Sequence, residues 1–586
     1  MRAAAKVWHL LPHDRGAIER LGEALRLPPL VAQLLLNRGI AEPELVRRFL
    51  QTPYNGLHDP ARLPGVAEAA DRLHEAVRQG RRICVYGDYD VDGLTGTAIL
   101  WQALRFLGAP TDFYVPHRLE EGYGLNVEAL EQIARTGTSL VVTVDCGIAS
   151  LAEAAEARRL GLELIITDHH EFKDRLPVAD VLVHPRLPGG SYPFGDLSGS
   201  GVAFKLAWAL CQRASGATRV TPRLREFLVD SVALAALGMV ADCVPLHDEN
   251  RIIVRHGLAR LRETSSLGLR ALLDVAGLGN KSDLCAADIS FGLAPRLNAA
   301  GRLGCARLVV DLLTTTSRER AVDLARYLDA QNGQRQQIER RILSEAQEML
   351  AGIDLDGTPA LVLASAGWHP GVIGIVAGRL ADRYARPVLM IALREELGLG
   401  QGSGRSVPGF LLHEALQACG DDLLGHGGHA TAAGFTIHPG RIDAFRDRFC
   451  ACAARHFQAA PPAPRLVIDA EVPLDLLTPG LIESLTRLEP FGAGNPRPRF
   501  LAGPLQVVAP PRRVGKGERT LQFRVRQQQA LLPAVAFNLA DRTEELMSAG
   551  GSCCLVFTPG FNEWQGRRTI QLEVVDFQPG TQARLG

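Results

Sequence analysis

Short apolar runs alternate with helix-like segments between about residue 80 and residue 250. Four of these runs lead directly into Asp or His residues. The runs are Ile83–Gly87, Leu140–Val144, Leu164–Thr167 and Ala233–Ala241. Short apolar runs separated by helical patterns predict buried parallel strands. We therefore predict an α/β fold with a doubly wound parallel sheet in this part of the chain.

Acidic and imidazole side chains follow all four runs. They are Asp88, Asp90, Asp92, Asp145, Asp168, His169, His170 and Asp242. Ligands of open α/β sheets bind beyond the carboxyl ends of the strands, so these groups should meet in one crevice. A cluster of carboxylates repels itself unless cations neutralise it. Two divalent metal ions roughly 3.5–4 Å apart would do so, which is the arrangement used for phosphoryl hydrolysis.

Each motif also has a simpler interpretation. Asp-x-Asp-x-Asp-Gly opens EF-hand calcium loops, but here Ile99 stands where an EF-hand has Glu, and a strand-like run precedes Asp88. Taken alone, Asp145 or Asp242 would be a helix cap or a loop residue, and a His-His pair would be structural. The joint pattern favours the metal site.

The rest of the chain predicts five further parts. Residues 1–80 are predicted to be helical and to pack on the core domain, and residues 250–315 are helical with Gly-rich joints. Ser317–Leu350 has the apolar spacing of a long connector helix. A second α/β unit extends to about residue 458, and a Pro-Ala linker, Ala459–Pro464, follows it. Strands predominate beyond the linker, at Leu466–Ile468, Leu521–Val525, Cys554–Phe557 and Ile570–Val575.

Composition limits the class of protein. With 46% hydrophobic and 22% charged residues the chain is typical of a globular protein. No apolar run approaches the ~18 residues of a membrane span, and the N-terminus has no convincing signal peptide. The eleven cysteines lack the spacing of a zinc site, so we expect a cytoplasmic protein. The formal net charge of zero argues mildly against a nonspecific duplex binder.

Positive charge is concentrated in one segment near the C-terminus. Between Asn495 and Arg526 there are eight basic residues and one acid, Glu518. The basic residues are Arg497, Arg499, Arg512, Arg513, Lys516, Arg519, Arg524 and Arg526. A solvated face is one interpretation. The other is a groove that tracks the backbone of a single nucleic-acid strand.

Longer motifs occur along the chain in a fixed order. GDYDVDGLTGTAIL, TVDCGI, TDHHE and ALGMVADCVPL resemble the motifs of the DHH phosphoesterase superfamily. APRLNAAGR, WHPGVIGIVAGRL, GSGRS, GHGGHATAAG and LEPFGAGNPRPRF resemble the RecJ family of bacterial exonucleases within it. The resemblance covers nearly the whole chain. It implies a single-strand-specific DNA exonuclease of DNA repair and recombination, which works from the 5′ end and releases nucleoside 5′-monophosphates.

The resemblance also implies a domain plan. A helical segment at 1–80 would precede a DHH catalytic domain at 81–316, followed by the connector helix at 317–351. A DHH-associated substrate-binding domain would occupy 352–458. An OB-fold that binds single-stranded DNA would occupy 465–586.

The resemblance supplies a ligand assignment for two Mn²⁺ or Mg²⁺ ions. Asp88 and Asp90 would hold one metal ion. Asp92 and His169 would hold the other, with Asp242 completing that site, and Asp145 would bridge the two. Asp168 would orient an imidazole, and His170 would contact the scissile phosphate. The wider superfamily has His at the first position of the opening motif, where this chain has Asp88.

Further residues are implied in substrate binding. Ser403, Arg405 and Gly428 would hold the terminal 5′-phosphate, although two tight turns are the simpler interpretation of their Gly-rich motifs. The other candidates are Arg118, Tyr123, Arg296, Asn298, Arg302, His369, Arg379 and His429, with Arg497, Arg499, Arg512, Arg513, Lys516 and Arg524 in the groove of the OB-fold.

Two other functions compete with the exonuclease. A phosphoesterase for dinucleotides or very short oligonucleotides would share the metal motifs but lack the basic C-terminal segment. An inactive DNA-binding scaffold would have lost metal ligands, whereas all the expected ones are present. The partners implied are single-stranded DNA and, from the family alone, single-strand-binding protein and a RecQ-type helicase. We expect a monomer and no membrane contact.

Overall fold

The computed structural model describes residues 6–118, 120–172, 175–355, 357–458, 463–515, 517–564 and 566–585. The chain forms two compact units. One is Leu57–Ala463, and the other combines Ala5–Gly56 with Pro464–Gly586. Among the described residues, no helix has both the length and the apolar character needed to span a bilayer.

The N-terminal segment shares a unit with the C-terminal domain. It consists of strand β1 (Val7–Leu10) and helices α1 (Arg15–Leu25), α2 (Pro29–Asn37) and α3 (Pro43–Gln51). Leu21, Leu34 and Phe49 lie in one hydrophobic core with Phe523 and Leu555 of the C-terminal strands. We predicted instead that residues 1–80 pack on the core domain. An amphipathic pattern shows that a helix has an apolar face, but not which partner covers it.

The first α/β domain contains a five-stranded parallel sheet. Its strands are β2 (Ile83–Gly87), β3 (Thr111–Tyr114), β4 (Leu140–Val144), β5 (Glu163–Thr167) and β6 (Val181–Val183). The order across the sheet is β3-β2-β4-β5-β6. Chain order therefore reverses between β2 and β4, and the crevice at such a switch point is where doubly wound sheets bind ligands. The predicted α/β class is confirmed.

Helices cover both faces of this sheet. Ile83 and Val85 face one hydrophobic core, whereas Cys84 and Tyr86 face another. The helices of the domain, some of which pack on other helices, are α4 (Val66–Arg78), α5 (Val91–Phe106), α6 (Val127–Arg135), α7 (Leu151–Arg159), α8 (Gly199–Ser215), α9 (Pro222–Ala241), α10 (Asp248–Arg262), α11 (Leu267–Val275), α12 (Ala294–Arg302) and α13 (Arg307–Thr314), with a π-helical turn at Asp288–Leu293.

One predicted strand is a helix. Ala233–Ala241 forms the C-terminal half of α9, and Asp242 is its C-cap. The strand prediction was wrong because a buried helix and a buried strand produce the same short apolar run, which periodicity cannot separate. Ala and Leu, which dominate this run, favour helix over strand.

A long helix, α14 (Arg318–Leu350), leads into the second α/β domain. The side chain of Ser317 caps its N-terminus. The domain contains β7 (Leu361–Ser365), α15 (Pro370–Tyr384), β8 (Val388–Arg394), β9 (Leu399–Arg405), α16 (Leu412–Ala418), β10 (Leu423–Gly428), β11 (Ala432–Ile437) and α17 (Ile442–Phe457). The sheet order is β10-β11-β9-β8-β7, and only β7 and β8 are parallel.

The C-terminal domain is a closed barrel. Its elements are β12 (Arg465–Ile468), β13 (Ala470–Glu471), α18 (Pro479–Thr486), β14 (Phe500–Val507), β15 (Arg512–Val514), β16 (Thr520–Gln527), β17 (Ala530–Ala536), α19 (Thr543–Met547), β18 (Ser552–Trp564) and β19 (Arg567–Pro579). Strands β14, β18, β19, β17 and β16 follow one another around the barrel, and β14 also pairs with β16. A closed five-stranded barrel is the architecture of the predicted OB-fold.

Candidate metal centre and substrate cleft

The Asp-rich motif lies where β2 ends and α5 begins. Asp88 is buried directly after the strand. Asp90 is the N-cap of α5, and its Oδ1 accepts hydrogen bonds from the backbone N–H groups of Asp92 (2.9 Å) and Gly93 (3.1 Å). The capping interaction fixes the turn that carries all three carboxylates.

Asp92 is held by the N-terminus of a second helix, α8. Its carboxylate accepts hydrogen bonds from Ser198 Oγ (2.9 Å) and from the backbone N–H groups of Gly199 (2.6 Å) and Ser200 (3.0 Å). A helix N-terminus stabilises a negative charge. Sequence reasoning missed these residues, although a Ser-Gly-Ser-Gly segment before an apolar helical run is a recognisable cap.

Asp145 follows β4 at the centre of the crevice. Its backbone φ is +65°, a left-handed conformation that Asp and Asn tolerate better than most residues. The buried carboxylate lies against Gly199, where a Cβ atom would come within 2.4 Å of Asp145 Oδ1. The site therefore requires a small residue at the start of α8.

The segment after β5 supplies a buried carboxylate and two imidazoles. Asp168 Oδ1 accepts hydrogen bonds from the backbone N–H of His169 (2.8 Å) and from His170 Nδ1 (2.8 Å). Asp168 Oδ2 accepts another from the backbone N–H of Ile148 (3.0 Å). Asp168 thus fixes the orientation of His170 and leaves its Nε2 directed away from this carboxylate.

His169 Nε2 lies among three carboxylates. It is 3.0 Å from Asp145 Oδ1, 3.8 Å from Asp92 Oδ2 and 3.7 Å from Asp242 Oδ2. Asp242 reaches the site although it caps a helix instead of ending a strand. Its residue type and position were informative even where the predicted element was wrong.

Two groups of carboxylate and imidazole side chains have the spacing of metal sites. One contains Asp88, Asp90 and Asp145, and the other contains Asp92, His169 and Asp242. The structure thus brings together all six ligands that the resemblance implied. A third grouping joins Asp145 to His169 and His170.

Three buried atoms at this centre make no hydrogen bond of acceptable geometry within the described part of the chain, even though His169 Nε2 lies 3.0 Å from Asp145 Oδ1. They are Asp88 Oδ1, Asp145 Oδ1 and His169 Nε2. A buried polar atom without a partner costs free energy that a bound cation would recover. Carboxylate oxygens suit Mg²⁺ and Mn²⁺, and an imidazole nitrogen suits Mn²⁺. The donor set therefore fits divalent metal ions.

The carboxylates are difficult to ionise without a cation. Burial, followed by the charge of Asp90, raises the pKa of Asp88 well above its usual range. Burial and the charge of Asp92 do the same to the pKa of Asp145. The pKa of Asp242 rises to about 8, from burial and from Asp92. Burial and Asp90 raise the pKa of Asp92 to about 6.

The two imidazoles titrate in opposite directions. Burial and the charge of His170 lower the pKa of His169 to about 3, so His169 is neutral, which is the metal-binding form. Burial lowers the pKa of His170, but the hydrogen bond and charge of Asp168 prevail and raise it to about 9. Burial raises the pKa of Asp168, but His170 prevails and lowers it to about 2. The pair is an ion pair at neutral pH.

Three arginines converge beside the metal centre. The guanidinium of Arg118 lies 4.8 Å from the centre of the Tyr89 ring. Burial and the charges of Arg118 and Arg405 lower the pKa of Arg302 to about 9. Burial and Arg118 also lower the pKa of Arg405. Cations that repel one another in this way are stabilised by an anion such as a phosphate.

Ser403 and Arg405 lie on one strand of the second domain. Arg405 Nη1 donates to the carbonyl oxygen of Gly404 (2.7 Å) and lies 3.4 Å from Ser403 Oγ. Gly428, on the neighbouring part of the sheet, has φ +137°, and a Cβ there would lie 2.5 Å from the carbonyl oxygen of Ala432. Only glycine fits that close backbone approach.

His429 and Tyr123 face the imidazoles. The rings of His429 and His170 stack with centroids 6.3 Å apart. Tyr123 Oη donates to the carbonyl oxygen of Asp145 (3.1 Å) and lies 3.0 Å from His170 Nδ1. These histidines, with Gly428 and His413, line a cleft of about 380 Å³.

Five other predicted residues have structural contacts. Asn298 Oδ1 accepts from the backbone N–H of Val91 (3.3 Å), and Arg302 Nη1 donates to the carbonyl oxygen of Gly371 (3.1 Å). His369 caps α15. Arg296 and Arg379 form ion pairs with acids of α14. The distances are 2.8 Å for Arg296–Asp329 and 2.6 Å for Arg379–Glu339.

The basic residues of the barrel do not all share one environment. Leu521, Phe523 and Val525 point into the barrel, and Arg524 and Arg526 alternate with them on the exposed face. Arg512 pairs directly with Gln522 and joins that face. Arg497 forms an ion pair with Glu573 (2.8 Å), and Arg513 donates to the carbonyl oxygen of Ala540 (3.1 Å). Arg499 is half-buried at the start of β14, and Lys516 lies outside the described residues.

Three domain families match the chain in succession. They are the DHH family N-terminal domain at residues 82–236, the DHHA1 domain at 357–455 and the RecJ OB domain at 468–576. The single-stranded-DNA-specific exonuclease RecJ of Escherichia coli K12 is 36% identical, over 94% of this chain and 96% of that protein. RecJ of Bacillus subtilis 168 is 40% identical, over 98% of this chain and 71% of that protein.

The chain belongs to the RecJ family. A RecJ crystal structure from Thermus thermophilus, in complex with Mn²⁺, superposes with a TM-score of 0.83 at 34% identity and covers 99% of this chain and 80% of that one. The same RecJ in complex with Mg²⁺ gives a TM-score of 0.77 at 32% identity, over 99% of this chain and 79% of that one. The family resemblance inferred from the sequence motifs is confirmed.

Proposed function

We propose that this RecJ-family chain hydrolyses single-stranded DNA from the 5′ end and releases nucleoside 5′-monophosphates. The observation that carries the proposal is the set of buried ligand atoms without partners, Asp88 Oδ1, Asp145 Oδ1 and His169 Nε2, at the switch point of the sheet. They belong to a cluster of carboxylates that is stable in its ionised form only beside cations.

The six clustered ligands would hold two divalent ions, Mn²⁺ or Mg²⁺. Asp88 and Asp90 would hold one ion, and Asp92, His169 and Asp242 the other, with Asp145 between them. Such ions, when bound, neutralise phosphate charge and lower the pKa of a water nucleophile. The N-terminus of α8 holds Asp92 in place, and its hydrogen bonds offset part of the rise in the pKa of Asp92.

His170 supplies a positive charge at the reacting phosphate. It is protonated at neutral pH because Asp168 holds its Nδ1. Its Nε2–H would donate to a non-bridging phosphate oxygen and stabilise the charge that develops there. Asp168 acts through His170 as a positioning residue.

The arginines beside the metals give the reaction its polarity. Arg405, Ser403 and the backbone of Gly428 would hold the terminal 5′-phosphate, and Arg118 and Arg302 would hold neighbouring phosphates. If the terminal 5′-phosphate is held next to the metal ions, the first phosphodiester bond of the strand lies at those ions and is the bond that is cut. Arg296 and Arg379, which are paired with acids, would act by positioning α12 and α15.

The barrel favours a long substrate over a dinucleotide. Arg512, Arg524 and Arg526 form a positive exposed face on an OB-fold, which is a common platform for single strands. A phosphoesterase of very short substrates would not need this face.

The inactive scaffold is disfavoured because no metal ligand is missing. Single-strand-binding protein and a RecQ-type helicase as partners rest on the family resemblance alone. A cytoplasmic location rests on the cysteine pattern, and a monomer is the default expectation.

End-labelled strands test the polarity. A 5′-labelled strand should release labelled mononucleotide at once, whereas a 3′-labelled strand should shorten through a ladder. Arg405→Ala should slow the enzyme more on 5′-phosphorylated than on 5′-hydroxyl DNA, because a lost charge-assisted contact costs ~1.5–3 kcal/mol. Arg405→Lys keeps the charge but not the bidentate geometry, so its loss of rate on 5′-phosphorylated DNA should be smaller than that of Arg405→Ala. A ladder from the 5′-labelled strand, or equal losses on both substrates, would refute the assignment.

A further inference from the structure

Phe291 is the most exposed large apolar side chain in the described part of the chain. It is 83% exposed and lies in the π-helical turn Asp288–Leu293, just before α12. Single apolar residues on a surface are common and need no explanation. Two features set this one apart, namely its position on the helix and the rigidity of its turn. π-helical segments often occur at functional sites.

Phe291 continues a stripe of residues that leads to the metal centre. Pro295, Asn298 and Arg302 follow it in α12, and Ser290, the neighbour of Phe291 in the turn, lines the same cavity as those three. Those three residues line a cavity of about 210 Å³. Asn298 contacts the backbone of Val91, between the ligands Asp90 and Asp92. Asn298 lies seven positions after Phe291, a distance of about 10 Å along the helix axis.

The turn that carries Phe291 is fixed before any ligand binds. Arg296 Nη1 donates to the carbonyl oxygen of Gly292, and its Nε donates to Asp329 Oδ1 of α14 at 2.8 Å. Its Nη2 also lies 3.5 Å from the carbonyl oxygen of Val275. An aromatic side chain on a preorganised turn loses little entropy when a planar ligand stacks on it.

We propose that Phe291 stacks on a nucleobase of the bound DNA strand, beyond the two nucleotides that flank the cleaved bond. The proposal rests on the proposed function, because the DNA strand must pass the metal centre. Arg302, one helical turn beyond Asn298, provides positive charge for a phosphate beside the metal centre. Every base has a π-face, so this contact is independent of sequence and suits an enzyme that degrades any strand.

Kinetics of substitutions at Phe291 test the contact. Phe291→Ala should raise KM about tenfold on strands of several nucleotides, with kcat little changed, and Phe291→Trp should restore KM. A 5′-phosphorylated dinucleotide does not reach Phe291, so its hydrolysis should not respond to Phe291→Ala. Leu397→Ala serves as the control, since Leu397 is also exposed (56%) but lies in the turn between β8 and β9. An unchanged KM on long strands, or an equal loss on the dinucleotide, would overturn the proposal.

A fluorescent base locates the contact independently of catalysis. 2-Aminopurine, whose emission falls on stacking, is placed at successive positions of a strand that binds to the full-length protein in EDTA. With the parent protein, one position should be quenched, and Phe291→Ala should lose the quenching at that position alone. If no position depends on Phe291, it contacts something other than a base and the proposal fails. Failure of the parent protein to cleave DNA with Mn²⁺ would instead refute the proposed function, because this binding measurement does not depend on cleavage.

Discussion

At position 145, backbone conformation and chemistry select the same residue type. The left-handed backbone disfavours most side chains, and the buried carboxylate points at the metal-binding groups. Asn tolerates the same φ and has nearly the same shape, but it carries no charge. Asp145→Asn therefore separates the loss of a ligand from backbone strain, which Asp145→Ala would combine.

Asp145→Asn should reduce Mn²⁺-dependent hydrolysis to background while the protein stays folded. Asp323→Asn is a matched control, because Asp323 is exposed on α14. Hydrolysis rates and thermal unfolding midpoints of the three proteins provide the comparison. Near-normal turnover by Asp145→Asn would contradict the ligand assignment.

The carboxylates at the centre link stability to pH and metal. The pKa values of Asp92 (about 6) and Asp242 (about 8) lie above the ~3.9 of an unfolded Asp. At these two carboxylates the folded, metal-free protein therefore binds more protons than the unfolded chain between about pH 4 and pH 8, whereas at His169, with a pKa of about 3, it binds fewer below about pH 6.5. Its free energy of unfolding should fall as pH rises through that window.

Mn²⁺ replaces these protons, so the stabilisation that it provides should grow with pH. The measurement is the unfolding midpoint in EDTA and in Mn²⁺ at several pH values between about 5 and 8. A metal-induced shift of equal size at every pH would contradict the account. Asp145→Asn, which keeps Asp92 and Asp242, should retain the pH trend in EDTA but show a smaller response to Mn²⁺.

At the scale of elements, two helix termini complete a site that the strands begin. The strand ends and the clustering of most of these carboxylate and imidazole side chains were predictable, because parallel strands aim their carboxyl ends at one crevice. The helical structure of α9 was not predictable, because burial on all sides removes the periodicity that separates helix from strand. The contact of α8 with Asp92 joins residues that are distant in sequence, and no local pattern encodes it.

Gly199→Ala tests the close approach of α8 to Asp145. The new Cβ would lie 2.4 Å from Asp145 Oδ1, so either the helix or the ligand must move. We expect a loss of ~1–3 kcal/mol in stability and a strong loss of Mn²⁺-dependent hydrolysis. In Gly333→Ala the new Cβ meets no atom within 4 Å, and this change within α14 should stabilise the protein by ~0.5–1 kcal/mol. Unimpaired hydrolysis by Gly199→Ala would show that the packing there is tolerant.

At the scale of the whole molecule, one compact unit combines segments from near both ends of the chain, and the other unit is formed by the segment between them. Residues 6–56 belong with the barrel, through parallel pairing of β1 with β12 and a shared core. The barrel and the second α/β domain were predictable from strand patterns and from the linker. The packing of the N-terminal helices against the barrel was not predictable, because it joins segments that lie near opposite ends of the chain. A deletion of the barrel should therefore include residues 5–56.

The basic face of the barrel should make binding of single strands depend on salt. Replacing Arg512, Arg524 and Arg526 together by Gln should reduce the slope of log affinity against log salt by about 2, at ~0.7 for each lost phosphate contact. The control is the same change at Arg135, Arg158 and Arg159, which are exposed on α6 and α7. Slopes that coincide for the parent and the barrel variant would show that this face is only solvated.

The central claim is that a buried carboxylate–imidazole cluster holds metal ions that hydrolyse single-stranded DNA. The most direct measurement is digestion of one labelled sequence, single-stranded and as a blunt duplex, with Mn²⁺ or with EDTA. The account predicts mononucleotides from the single strand with Mn²⁺, little product from the duplex, and none from either substrate in EDTA. Digestion of the single strand that persists in EDTA, or equal digestion of the duplex, would contradict it.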